Sequence, residues 1–442
     1  GSCVEELKEQ GITTVSDEPV LYKAGKGYHI GHPQDFNAKY ALDEKHFWHF
    51  LETTHVKELE KLKRYGDWKQ KILERYDRMV KKYGLLRLLR KGLEVDDAYF
   101  DLFFPYPLAS SSQFVKDNFE NNEFSVTRQV QYSEDNPRKK IDMVLFVNGI
   151  PFSTMELKNP WTGQNAKIHG QNQYKFHRDN KQPLLNFGRC LVHFAVDTDE
   201  IYMTTKLNGK ETFFLPFNKG HNNGKGNPPN EFGHKTDYLW KEVLTRESIA
   251  NIIQHFVRFD GKATDPLNQR TLFFPRYHQL DVVRKLINDV SYNGVGKTYL
   301  IQHSAGSGKS NSITWLAYQL IEVYPQESHL PGSKGTHLPL YDTVIVVTDR
   351  RLLDKQLRDN IKEFSQVKNI IAPAYTSRDL KINLESGKKI IITTIQKFPF
   401  IVEGISDMSD KRFGVIIDEA HSSQSGVDAG KMNQALGQHT EN

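Results

Sequence analysis

The segment Gly306-Ser307-Gly308-Lys309-Ser310 leaves the second half of this 442-residue chain little choice of fold. An apolar run, Thr298–Gln302, precedes it and a helical pattern, Ile313–Val323, follows, so the glycines fall at a strand-to-helix turn. In that position successive backbone N–H groups turn inward around a phosphate and the helix N-terminus adds the positive end of its dipole. Lys309 then reaches the outer phosphate oxygens of ATP and Ser310 ligates Mg²⁺. Downstream, Val344–Val347, Ile390–Thr393 and Val415–Ile417 are apolar strands separated by amphipathic stretches, the pattern of a parallel-sheet α/β domain. Asp418-Glu419-Ala420-His421 follows the last of them directly. A carboxylate at that strand end brings Asp418 to the metal beside the phosphate loop and leaves Glu419 to orient the attacking water. A second Gly-Lys-Thr, Gly296–Thr298, opens a strand rather than a helix and is set aside.

The first half has a different rhythm. From Ala41 to about Leu89 apolar residues such as Phe47, Phe50 and Leu51 recur at helical intervals, predicting two or three helices. Phe124, Val126, Val130 and Tyr132 then alternate as in a strand, Ile141–Val147 is strand-like, and Phe152–Lys158 follows the turn signal Asn148-Gly149. Helical spacing resumes at Ala166–His177, and Leu191–Val196 and Ile201–Thr205 read as two further strands. Asn218–His234 is a Gly-, Asn- and Pro-rich surface loop, and Asp260–Gln269 is a second weak stretch. The boundary is placed there, giving domains 1–260 and 261–442.

Composition narrows the class. The chain is 38% hydrophobic with no apolar run near the ~18 residues of a membrane span, so no membrane partner is expected. Cys3 and Cys190 are too few for a disulfide framework, which fits a reducing compartment and a cytoplasmic location. His221 and His234 lack companion ligands, so zinc is not expected in the long loop. The net charge of +5 is permissive of a nucleic-acid partner without requiring one, and the basic run Lys61–Lys91 reads first as a solvated helix face.

Asp142 begins one strand and Glu156 and Lys158 share one face of the next. Two carboxylates to hold Mg²⁺ and a Lys to stabilise developing charge or position water are the set that phosphodiester hydrolysis by a PD-(D/E)XK nuclease uses, here with Ile141 in place of the nominal Pro. The hairpin register tests this. With a plain two-residue turn at Asn148-Gly149, Asp142 would face Met155 and the two carboxylates would lie on opposite sides of the sheet. A three-residue loop or a bulge near Asn148–Ile150 is therefore predicted, pairing Asp142 with Glu156.

Several blocks carry a family resemblance: Ser125–Ser133, Ile141–Gln164, Leu191–Leu207, Val344–Leu357 and Val415–Gly426. On these the chain, from about Val4 to its end, resembles the restriction (R) subunit of type I restriction-modification endonucleases. His303 replaces the first Gly of the GxxxxGK[ST] loop, a position that superfamily 2 helicases relax, and Arg276-Tyr277-His278-Gln279 resembles the motif in which a Gln, here Gln279, reads adenine. The resemblance implies a mixed-sheet PD-(D/E)XK domain followed by a RecA-like helicase lobe, with Asp142, Glu156 and Lys158 as nuclease triad. It further implies Gly306, Ser307, Gly308, Lys309, Ser310 and Asp418 at ATP and Mg²⁺, and Glu419 in hydrolysis. Thr348 with Arg350, and Thr394, resemble the motifs that hold DNA phosphates, and His421 completes the DEAH box.

The family's nuclease adds a Gln-xxx-Tyr motif on the following helix; Tyr174 fits it, Gly170 occupies the Gln position, and Gln171 and Gln173 are the neighbours that would substitute. Glu5 or Glu6 would supply a further carboxylate. The implied activity is Mg²⁺-dependent cleavage of double-stranded DNA coupled to ATP-driven translocation, with methyltransferase (M) and specificity (S) subunits as partners. The alternative is a remodelling or repair translocase whose nuclease-like domain only binds DNA. Because the sequence stops at Asn442, shortly after DEAH, it reads as a fragment without the second lobe and C-terminal helical region, with nucleotide binding and little turnover expected.

Overall fold

The structure, a computed structural model, describes residues 27–107, 111–222, 224–261, 264–303, 306–348, 370–401 and 410–418. The chain divides into two units. One runs to Val257 and takes in Gly261–Tyr277; the other comprises Arg258–Asp260 and the chain from His278 onward.

Alternation of apolar side chains in the first unit builds a seven-stranded mixed sheet whose strands follow chain order across it. They are β1 (His29–Ile30), β2 (Phe124–Gln131), β3 (Lys140–Val147), β4 (Ile150–Leu157), β5 (Val192–Val196), β6 (Ile201–Thr204) and β7 (Leu215–Pro216). The pairs β1/β2 and β4/β5 are parallel and the rest antiparallel. Every residue of β5 and β6 is buried, as are Ile150–Glu156 of β4, so these strands are covered on both faces. That double cover explains their nearly continuous apolar sequence. Four helices, not two or three, occupy the predicted helical region: Glu44–Thr54, Val56–Lys63, Trp68–Tyr83 and Leu85–Lys91. Gly84 ends one and Gly92 another at positive φ, breaks that a periodicity count runs through.

The hairpin between β3 and β4 turns on Asn148 (φ 52°) and Gly149 (φ 72°), both left-handed as a two-residue type I′ turn requires. Asn148 is fully buried; its side chain donates to Leu102 O and Asn122 Oδ1 and accepts from the Glu123 N–H. Gly149 O accepts from the Asp43 N–H at 2.8 Å, and any Cβ on Gly149 would overlap Asp43 O and Phe47 N. The turn is thus clamped from outside the sheet.

In the second unit β8 (Thr343–Thr348), β9 (Ile371–Pro373), β10 (Ile390–Thr394) and β11 (Phe413–Ile417) form an all-parallel sheet in the order β9-β10-β8-β11. Ile345, Val347, Leu380, Ile391, Phe398 and Ile401 make its core. The helix Lys309–Leu320 packs against β8 and β11. One expectation fails: Thr298–Gln302 forms no strand. Lys297 and Tyr299 meet Asp289 through their side chains, at 3.0 and 2.5 Å, and Leu300 is 86% exposed, so the apolar run is not buried as a strand of this sheet would be.

Candidate functional site

The carboxylates of the first unit meet because the hairpin is irregular. Val147 pairs with Ile150 and Phe146 with Pro151, but Leu145 pairs with Ser153, so Phe152 is an extra residue on β4. Beyond this bulge Met143 faces Met155, and the next pair in that register is Asp142 with Glu156. The sequence argument placed the irregularity near Asn148–Ile150. The structure keeps the tight turn and carries the bulge two residues further on, because Asn148 and Gly149 suit a two-residue turn and the buried Phe152 fills the core.

Asp142 accepts at both oxygens: Oδ1 from Gln129 Nε2 at 3.2 Å and Oδ2 from the Leu157 N–H at 3.0 Å. Gln129 lies on β2 between Arg128 and Val130, whose partners Met143 and Ile141 flank Asp142, and its φ is 53°. A left-handed non-glycine residue inside a strand costs on the order of 1–3 kcal/mol, and such strain collects at functional sites. Glu156 is fully buried; Oε1 accepts from Arg178 Nε at 2.6 Å, while Oε2 is buried and accepts from no donor among the described residues, and the Asp142 carboxylate stands within hydrogen-bonding reach of the Glu156 carboxyl. Burial raises the Glu156 pKa well above the ordinary carboxylate range, the Arg178 guanidinium opposes that rise, and the Asp142 charge adds to it. A buried Glu156 and a half-buried Asp142 on one face, close enough to interact, are satisfied by a shared proton or by a cation. Mg²⁺ is commonly held by one or two carboxylates and several waters, so this donor set fits it. Among the described residues no group of three or more His, Cys, Asp or Glu is placed to hold a metal.

Lys158 follows two residues after Glu156, and its Nζ donates to Gln173 Oε1. Gln173 comes from the segment Ala166–His177, predicted as helical and built from two π-helical stretches, Ala166–Gly170 and Gln173–His177. Gly170 is required here: a Cβ would stand 2.9 Å from Ala195 Cβ on β5. The missing Gln of the resembled motif is therefore excluded by close packing, and Gln173 provides the amide at Lys158. Tyr174 turns into the core, its hydroxyl 2.8 Å from Thr154 Oγ1, which also meets His193 Nδ1 at 2.7 Å. Gln171 makes no described hydrogen bond to Asp142, Glu156 or Lys158. Sequence reasoning missed Gln129 and Arg178, since neither belongs to a spaced pattern.

In the second unit Gly306 (φ 73°) and Gly308 (φ 81°) take left-handed conformations, and Gly308 is the N-cap of the helix that begins with Lys309 and Ser310. Ser307 is buried, and its carbonyl accepts from Gln279 Nε2 at 3.1 Å and lies 3.0 Å from His278 Nε2. Gln279 Nε2 also donates to Gly308 O at 3.0 Å. The residue expected to read adenine thus braces the loop with its amide nitrogen. His303, the departure from the loop pattern, packs edge-on against His278 with ring centroids 5.0 Å apart. Asp418 is buried directly after β11, its N–H donating to Val347 O at 2.9 Å. Thr348 and Thr394 pair at the ends of β8 and β10 and are both buried. Glu5, Glu6, Arg350, Glu419 and His421 lie outside the described residues.

Comparison with known proteins gives two successive family matches. Residues 24–212 match the family described as type I restriction enzyme R protein N terminus, and residues 278–441 match the SWI2/SNF2 ATPase family. The type I restriction enzyme HindI endonuclease subunit of Haemophilus influenzae is 26% identical over 70% of this chain. The putative MjaVIIIP endonuclease subunit of Methanocaldococcus jannaschii is 24% identical over 72% of it. The chain spans only 28% and 31% of the lengths of these two relatives. The crystal structure of the UvsW helicase from bacteriophage T4 aligns at 15% identity and a TM-score of 0.28, covering 44% of this chain and 57% of that one, too slight a likeness to add to the fold. By these two successive matches and these relatives, the chain is similar to the R subunits of type I restriction enzymes, with an ATPase-family match after the match to their N-terminal region.

Proposed function

We propose that the first unit hydrolyses DNA phosphodiesters with Mg²⁺ and that the second binds ATP, as parts of a type I restriction endonuclease that couples cleavage to translocation along double-stranded DNA. The observation that carries this reading is the Asp142–Glu156 pairing across a bulged hairpin, with Lys158, two residues after Glu156, hydrogen-bonded to Gln173. Asp142 and Glu156 Oε2 would hold the metal, which supplies charge for the scissile phosphate and acidifies water. The chain's own groups do the rest. The Leu157 N–H and Gln129 fix Asp142, and the Lys158 ammonium neutralises charge developing on the phosphate oxygens.

In the second unit Lys309 and Ser310 would meet the phosphates and their Mg²⁺, with Asp418 opposite and Glu419 orienting water. Gln279 would hold the loop in shape by binding the carbonyls of Ser307 and Gly308. M and S subunits would supply methylation and target choice, and the assembly would work in the cytoplasm; among the described residues no helix is long and apolar enough to cross a membrane.

The test is Mg²⁺-dependent nicking of plasmid DNA by the chain, with and without M and S subunits, beside Glu156→Ala. Cleavage lost in the variant supports the assignment; cleavage equal in both removes it.

A further inference from the structure

We propose that Arg178 is a positioning residue of this site: it grips one oxygen of Glu156 so that the other stays turned to Asp142 to receive a divalent cation. The inference rests on the nuclease reading above. Arg178 is the first residue after the π-helical stretch Gln173–His177, where the backbone returns to an extended conformation (φ −109°, ψ 132°). Its Nε reaches Glu156 Oε1 at 2.6 Å, with the Arg178 side chain 11% exposed and the Glu156 side chain fully buried.

The contact is one-sided. Asp142 makes no hydrogen bond or ion pair with Arg178 among the described residues; its oxygens go to Gln129 and Leu157. A guanidinium merely standing in for a cation held by both carboxylates would contact both. Here the guanidinium sits on Oε1, and Oε2 accepts from no donor among the described residues while Asp142 stands within reach of the Glu156 carboxyl. A glutamate carboxylate pivots about its terminal torsion with little resistance, and the broad two-fold well of that torsion fixes neither oxygen. The planar guanidinium removes this freedom, as partners behind metal ligands do generally. Arg178 and Gln173 also leave the same helical segment to hold Glu156 and Lys158, so one segment orients both ends of the Glu156-Leu157-Lys158 strand end.

The experiment is Mn²⁺ binding by the whole chain without nucleotide, read from the electron paramagnetic resonance signal of free Mn²⁺, with thermal unfolding recorded for each variant. Arg178→Met is expected to weaken Mn²⁺ binding roughly tenfold or more, the scale on which lost outer partners act. Arg178→Lys keeps the charge and the fold but lacks the fixed fork, and a loss of about threefold is expected. Should Arg178→Met fail to fold, Arg178→Lys decides alone. Unchanged or tighter Mn²⁺ binding in a folded Arg178 variant overturns the proposal, tighter binding marking Arg178 as a competitor of the metal. A lowered melting temperature with unchanged affinity marks a structural ion pair and overturns it equally. Glu156→Ala separates the two claims: Mn²⁺ binding that survives it removes the metal site itself, whatever Arg178 does.

Discussion

Replacing Gly149 by Ala tests whether the clamp on the hairpin turn fixes the register that joins the two carboxylates. Gly149 has φ 72°, and a left-handed backbone costs an Ala about 1–2 kcal/mol. Gly163, with φ 73° and nothing within 4 Å of an added methyl, carries that cost alone. At Gly149 the methyl would also overlap Asp43 O and Phe47 N and stand 2.7 Å from Phe47 Cβ. Two of the three are backbone atoms that no rotamer change can move, and overpacking of this kind adds about 1–3 kcal/mol. Gly66, with open space around it and no positive φ, should tolerate Ala within ~0.5 kcal/mol. The series therefore predicts about 0 for Gly66→Ala, about 1–2 for Gly163→Ala and about 2–5 kcal/mol for Gly149→Ala. Thermal unfolding reads it at roughly 2–4 °C per kcal/mol for a unit of this size. Gly149→Ala costing no more than Gly163→Ala would refute the clamp.

Two further outcomes follow from buried polar groups. His193 is wholly buried, and burial lowers its pKa to about 3 from the usual 6.5. Below pH 6.5 the unfolded chain takes up a proton that the folded one refuses, so this group's contribution to stability is intact above pH 6.5 and is lost as pH falls toward 3. The slope approaches ~1.4 kcal/mol per pH unit, and His193→Asn should flatten the melting temperature against pH in that window; an unchanged slope refutes the assignment to His193. In the second unit, Gln279→Ala removes two hydrogen bonds to the carbonyls of Ser307 and Gly308. At ~1 kcal/mol each, fluorescent ATP should bind roughly thirtyfold more weakly, measured by titration, and unchanged affinity would show that the loop needs no brace.

How much of this the sequence discloses depends on whether a feature is periodic or conformational. Period-two alternation located β2, β3 and β4 to within a residue or two, and the parallel strands β8, β10 and β11 announced themselves as apolar runs. Thr298–Gln302 looked the same and is not a strand; Leu300 is 86% exposed, and apolar spacing does not tell a buried run from an exposed one. The bulge was legible for another reason. A side chain's face is fixed by parity, so two carboxylates needed on one face demanded an odd residue somewhere in the hairpin. Parity says that an extra residue exists and not where, and Asn148-Gly149 had already claimed the turn for a two-residue form.

Gln129 and Arg178 mark the limit of such reasoning. Gln129 reaches Asp142 through a left-handed backbone that its own side chain does nothing to encourage, and nothing local in the sequence forecasts it. Arg178 meets Glu156 only because a π-helical segment ends where it does, a winding that apolar spacing reads as ordinary helix. Yet one physical demand is visible in the sequence itself: a Glu placed on a strand buried on both faces must find a cation or a proton. A search of the nearby basic residues for that partner puts Arg178 among the candidates from sequence alone. Buried charge, more than motif spacing, is therefore the signal by which the supporting residues of such a site can be sought in sequence.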